Sequence, residues 1–76
     1  MDEIEKKRHR YLIERELPEC TLYFYSWDRL AGDFVAVWSE ETTNAKDFGS
    51  IQEAEDTRQE LMARGGYGTY YLLTID

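Results

Sequence analysis

The chain has 76 residues and a formal net charge of −7, from nine Lys and Arg against sixteen Asp and Glu. That length supports one small domain, and a single cysteine, Cys20, with a single histidine, His9, excludes an intrachain disulfide framework and a Cys/His zinc site. The acidic balance repels nucleic acid at long range and attracts basic surfaces, and no stretch approaches the roughly 20 apolar residues of a membrane span, so a cytoplasmic, reducing setting is expected.

In chain order, the first segment, "DEIEKKRHRYLIERELP", combines good helix formers, an acidic start, the Glu3 to Lys7 spacing and Pro18 as a stop, and predicts a helix over about 2–16. Its apolar residues, Ile4, Tyr11, Leu12, Ile13 and Leu17, form only a broken stripe, so this helix packs loosely or projects. Its charges cancel: Lys6, Lys7, Arg8, Arg10 and Arg15 balance Asp2, Glu3, Glu5, Glu14 and Glu16, which leaves the whole acidic excess on the residues that follow. "TLYFYSW" and "DFVAVWS", rich in aromatic and β-branched residues and joined by "DRLAGD", predict a hairpin turning at Gly32.

The best-marked element is the helix between about 50 and 64. Ser50 is a natural N-cap, Glu53 completes a capping box, and "RGG" supplies a basic last turn with a glycine for the left-handed residue beyond it. Ile51, Ala54, Leu61 and Met62, with the stem of Arg58, face the core; Glu53, Asp56 and Glu60 recur along the opposite face. "YGTYYLLTI" then predicts a last strand.

The expected fold is therefore α+β, a three-stranded antiparallel or mixed sheet with one helix packed on it and an N-terminal helix, in the order α-β-β-α-β. Residues 1–18 form the N-terminal helix and residues 19–76 a ββαβ body; the strand order, counted over the three strands, is 2-1-3. Alternation places Leu22, Phe24, Val35, Val37, Tyr71, Leu73 and Ile75 under the helix. It leaves Tyr23, Tyr25, Trp27, Phe34, Trp38, Tyr70 and Leu72 on the other face. An aromatic second face needs a cover: the N-terminal helix, a second copy, or another protein.

No catalytic arrangement is legible, so the chain is expected not to be an enzyme, and no cofactor or metal is expected. His9 and Cys20 share no nucleophile motif, Asp28 and Asp33 lack calcium-loop spacing, and "GGYG" leads into a strand where a phosphate loop needs a helix. "KKRHR" could contact phosphates, but the neighbouring acids make direct nucleic-acid binding the weaker reading. The acidic row is either a solvated helix face or a phosphate-like array, made of Glu40, Glu41, Asp47, Glu53, Asp56 and Glu60, for a groove that normally holds nucleic acid. The aromatic residues Tyr23, Tyr25, Trp27 and Trp38 are the other candidate partner-binding set.

The stretch from Trp38 to Tyr71, with its Trp, its "AKDF" and its "SIQEA" before a closing aromatic strand, resembles small phage and prophage accessory proteins sharing a W…A-K-x-F-x-S-x-x-E-A strand–helix–strand module. The likeness covers about half the chain and its motifs are structural. It implies an acidic, non-enzymatic inhibitor of a host nucleic-acid-handling or defence complex, of the anti-CRISPR kind, acting on a basic protein surface in the host cytoplasm. Two other readings stand beside it: an assembly module that forms a homodimer through the aromatic face, and a nucleic-acid binder using Lys6, Lys7 and Arg8.

Overall fold

The computed structural model describes residues 10–66 and 68–75. The elements are β1 (Arg10–Glu16), β2 (Thr21–Leu30), β3 (Asp33–Ser39), α1 (Ile51–Ala63) and β4 (Thr69–Ile75), with a 3-10 turn at Thr42–Asn44 between β3 and α1. The strands make one four-stranded antiparallel sheet in the order β3-β2-β1-β4, with α1 across one face. Among the described residues no helix is long and apolar enough to cross a membrane.

The α+β class holds, but three features of the expected fold are corrected. Residues 10–16, expected to end an N-terminal helix, are strand β1; the rest of that expectation, on residues 1–9, lies outside the described residues. The sheet has four strands where three were expected. The closing strand also does not pair with the first hairpin strand, because β1 stands between them and pairs with β4 from Arg10↔Ile75 to Glu16↔Thr69.

The broken apolar stripe carries the reason. On a helix Tyr11, Leu12 and Ile13 would fan round the axis, whereas a strand at the centre of a sheet sends them alternately to its two faces. Leu12 and Ile13 are both fully buried, and only Ile13 belongs to the core under α1. Helix propensity in the flanking Glu and Arg residues amounts to a few tenths of a kcal/mol each, which burial of two large aliphatic side chains, about 1.5–3 kcal/mol apiece, overrides. Pro18, read as a helix stop, lies in the turn that joins β1 to β2, where the Leu17 N–H donates to the Cys20 carbonyl at 2.9 Å.

Strand β2 also departs from simple alternation. A bulge between Phe24 and Ser26 shifts its register with β3 by one residue, so that Phe24 faces Trp38 while Trp27 faces Ala36. Without it the two-residue turn at Ala31 and Gly32 would set Phe24 beside the Val35 and Val37 side chains, as the alternation predicted. With it Phe24, Trp27, Ala36 and Trp38 all pack beneath the helix, and Val35 and Val37 take the opposite face. Pairing with β1 similarly turns Tyr70 and Leu72 inward, opposite Arg15 and Ile13, and places Tyr71, Leu73 and Ile75 on the side away from α1.

Beyond the bulge the sheet divides. β1 and β2 pair only over Glu14↔Tyr23 to Glu16↔Thr21, after which β2 continues with β3 alone as a two-stranded arm. The segment Lys46–Phe48 fills the opening: Lys46 donates its N–H to the Phe24 carbonyl at 2.9 Å, and Phe48 donates to the Tyr11 carbonyl at 3.1 Å. The Phe48 ring, 5 % exposed, stacks 6.0 Å from that of Phe24, while Arg10 ties the segment down by pairing with Asp47 and donating to the Thr42 carbonyl.

α1 follows at once, with its limits where Ser50 and the glycine pair put them. The Ser50 hydroxyl accepts from the Glu53 N–H, the Glu53 carboxylate accepts from the Gly49 N–H, and Gly65 takes φ +90° just past the C-cap Arg64. Its inward stripe is Ala54 and Leu61 with the half-buried Thr57 and Arg58; Ile51 and Met62, expected to face the core, are 55 % and 47 % exposed.

Phe48→Ala removes the plug where the sheet divides and is expected to cost about 3–5 kcal/mol, enough to unfold most of a domain this small at 37 °C, read by thermal or urea melts. Ala31 adopts φ 54° beside Gly32 at φ 82°, a turn that favours Asn at its first central position. Ala31→Asn is expected to raise stability by about 0.5–1 kcal/mol in the same melts.

Candidate functional site: an acid-rimmed aromatic groove

The two-stranded arm would be marginal alone and leans on the C-terminal end of α1. Arg64 makes the connection. Its guanidinium carbon sits 4.7 Å from the centre of the Trp27 ring, its Nη1 donates to the Phe34 carbonyl at 2.9 Å, and its Nε pairs with Glu60 at 3.1 Å. Between helix and arm lies a groove of about 310 Å³, lined by Trp27, Phe34, Asp56, Thr57, Glu60 and Arg64. A second hollow, of about 390 Å³, lies along Phe34 and Arg64 toward Trp38, Tyr70 and Arg15.

The anticipated aromatic set therefore divides. Trp27 and Trp38 are half-buried on the helix side, where Trp27 meets Phe24 edge-on at 5.3 Å and Trp38 does so at 5.9 Å. Tyr23 is half-buried on the face away from α1, opposite Glu14, and Tyr25, the extra residue of the bulge, is 50 % exposed.

The acidic set does not form one uninterrupted row. Glu40 and Glu41 are exposed on the turn after β3, where the Ser39 hydroxyl accepts from the Glu41 N–H and holds the bend. Asp47 is exposed but paired with Arg10. Glu53, Asp56 and Glu60 do share an outward face of α1, yet each also makes a local contact. Glu53 caps Gly49, Asp56 accepts from Gln52 at 2.9 Å, and Glu60 holds Arg64. Asp56 and Glu60 also rim the groove, so the acidic face and the aromatic floor meet there.

The basic side chains show a consistent pattern. Arg15 lies over Trp38 and Tyr70 at 5.2 and 5.5 Å, Arg29 over Phe34, Lys46 over Phe48, and Arg64 over Trp27. Arg10 and Arg58 are held by Asp47 and Glu55. Every Lys and Arg among the described residues is thus engaged by an aromatic ring or a carboxylate, whereas Glu40, Glu41, Glu53 and Asp56 have no cationic partner among the described residues. Among the described residues twelve carboxylates stand against six cations, so the surface is negative on balance although Arg29, Lys46 and Arg64 are themselves exposed.

Arg64 and Phe34 were not anticipated as site residues. Arg64 reads in the sequence only as a helix-ending cation, and its contacts with Phe34 and Trp27, far back along the chain in the arm, carry no local signal there. Arg64→Ala is expected to lower stability by about 1 kcal/mol and to shift the Trp27 emission, since it removes a ring contact and an exposed ion pair and leaves the core intact. Comparison with known proteins adds no further assignment: no protein-family model, no curated protein and no solved structure matches the chain.

Proposed function

We propose that this protein is a protein-binding module that covers a basic, nucleic-acid-handling surface of its partner, in the manner of an acidic phage-type inhibitor of a host or defence complex. The observation that carries the reading is the balance of charge on the surface. Each described cation already lies against a ring or a carboxylate, and the carboxylates of Glu40, Glu41, Glu53 and Asp56 face solvent without a described cation beside them. Such a surface is attracted to the same basic clefts as a phosphate backbone and gains from release of the counterions held there.

Shape supports the same reading. The arm and α1 enclose a groove with an aromatic floor and an acidic rim, a combination of large contact area and directional charge that suits a protein interface.

The test is retention of basic, nucleic-acid-binding host proteins on the immobilised chain, compared with a Glu40→Lys/Asp56→Lys bait. Retention is expected to fall at least tenfold between about 50 and about 200 mM salt, to fall similarly on the charge-reversed bait, and to be competed by nucleic acid. Association that is indifferent to salt, charge reversal and nucleic acid overturns the reading. A salt-independent dimer of the free chain, broken by polar substitution of the exposed Tyr71 or Val35 on the face away from α1, would favour an assembly role instead.

A further inference from the structure

We propose that the groove between α1 and the arm is a receptor for an arginine side chain of the partner, and that Arg64 occupies that receptor in the free protein. The proposal rests on the reading that the partner surface is basic and adds the side chain that enters and the place it takes. The groove offers what a guanidinium recognises. The Trp27 ring supplies a flat face, the Phe34 ring a second wall, and Asp56 and Glu60, one helical turn apart on α1, supply carboxylates on the rim.

Arg64 shows that this chemistry accepts a guanidinium, for it lies on Trp27 while its Nε pairs with Glu60. Its hold is of a kind easily exchanged: the side chain is 37 % exposed, the Glu60 partner 55 %, and ion pairs of this exposure are worth little. An incoming arginine takes the Trp27 face and a rim carboxylate, and Arg64 swings to solvent or retains only the Phe34 carbonyl. Lysine is a poorer occupant, because its compact, strongly hydrated ammonium meets a ring only as a point charge and has no planar fork to span two carboxylates.

The experiment uses the full chain, labelled with 15N, and acetylated hexa-arginine and hexa-lysine peptides as probes at equal ionic strength. The indole N–H resonance of Trp27 should move on titration more than that of Trp38, and hexa-arginine should bind about tenfold more tightly than hexa-lysine. Arg64→Ala, which vacates the ring, should tighten hexa-arginine several-fold more than hexa-lysine, and Asp56→Asn should weaken hexa-arginine the more. Trp27→Leu should bring the two peptides within about twofold while leaving a salt-sensitive attraction for both. Should Trp27→Leu fail to fold, the wild-type selectivity and the Trp27 resonance decide the matter without it. Equal affinities with a silent Trp27 overturn the receptor and leave the acidic-surface reading standing; no binding of either peptide to the folded chain overturns both.

Discussion

The fold depends on the pair of backbone hydrogen bonds that Lys46 and Phe48 make to Phe24 and Tyr11. A sheet whose inner strands pair over so short a span would ordinarily expose unpaired carbonyls and open its core to water where they part. Here a connecting segment supplies the missing donors and drives one aromatic ring into the gap, so that Phe48 joins Phe24, Ile13, Leu61 and Tyr70 in one cluster. Everything functional lies downstream of that arrangement. The arm exists because β2 leaves β1, α1 starts where it does because Phe48 fixes the chain just before Ser50, and the groove is the space left between the two.

The same helix also reaches one carbonyl on each edge strand. On β4, Arg58 donates to the Tyr70 carbonyl at 3.0 Å; on β3, Arg64 donates to the Phe34 carbonyl, whose neighbouring N–H is taken by the Asp33 carboxylate. Side chains thus satisfy main-chain groups that would otherwise template pairing with another chain. Arginine serves well in this role because its fork can bond a carbonyl while its plane rests on a ring or meets an acid. Both arginines also pair with a carboxylate of α1, Arg58 with Glu55 and Arg64 with Glu60.

Part of this was legible in the residues and part was not. The helix was, because Ser50, Glu53 and the glycine pair act within a few residues of one another, and the hairpin was, because its strand composition and its turn are local. β1 was not: "RYLIERE" satisfies helix propensity, and only the vacancy between β2 and β4 makes a strand of it. The faces of β3 and β4 are inverted for related reasons, one a single inserted residue at Tyr25 and the other the pairing of β4 with a strand whose own residues favour helix. At the candidate site, the exposure of Asp56 and Glu60, like that of Glu53 beside them, could be anticipated from helical periodicity. The ring under Arg64 could not, since it is brought there by an arm whose position depends on the bulge.

The pairing of β1 with β4 joins the two most widely separated strands of the chain, Arg10 lying opposite Ile75. In synthesis β1 emerges before β4, so this strand, with the fully buried Leu12 and Ile13, waits without its longer partner until β4 has followed. Folding of such a topology is governed by closure of a long loop and is slower than local pairing would allow. Until β4 arrives, Leu12 and Ile13 lack the residues they pair with, and apolar strand left unpaired in this way is prone to aggregate as concentration rises.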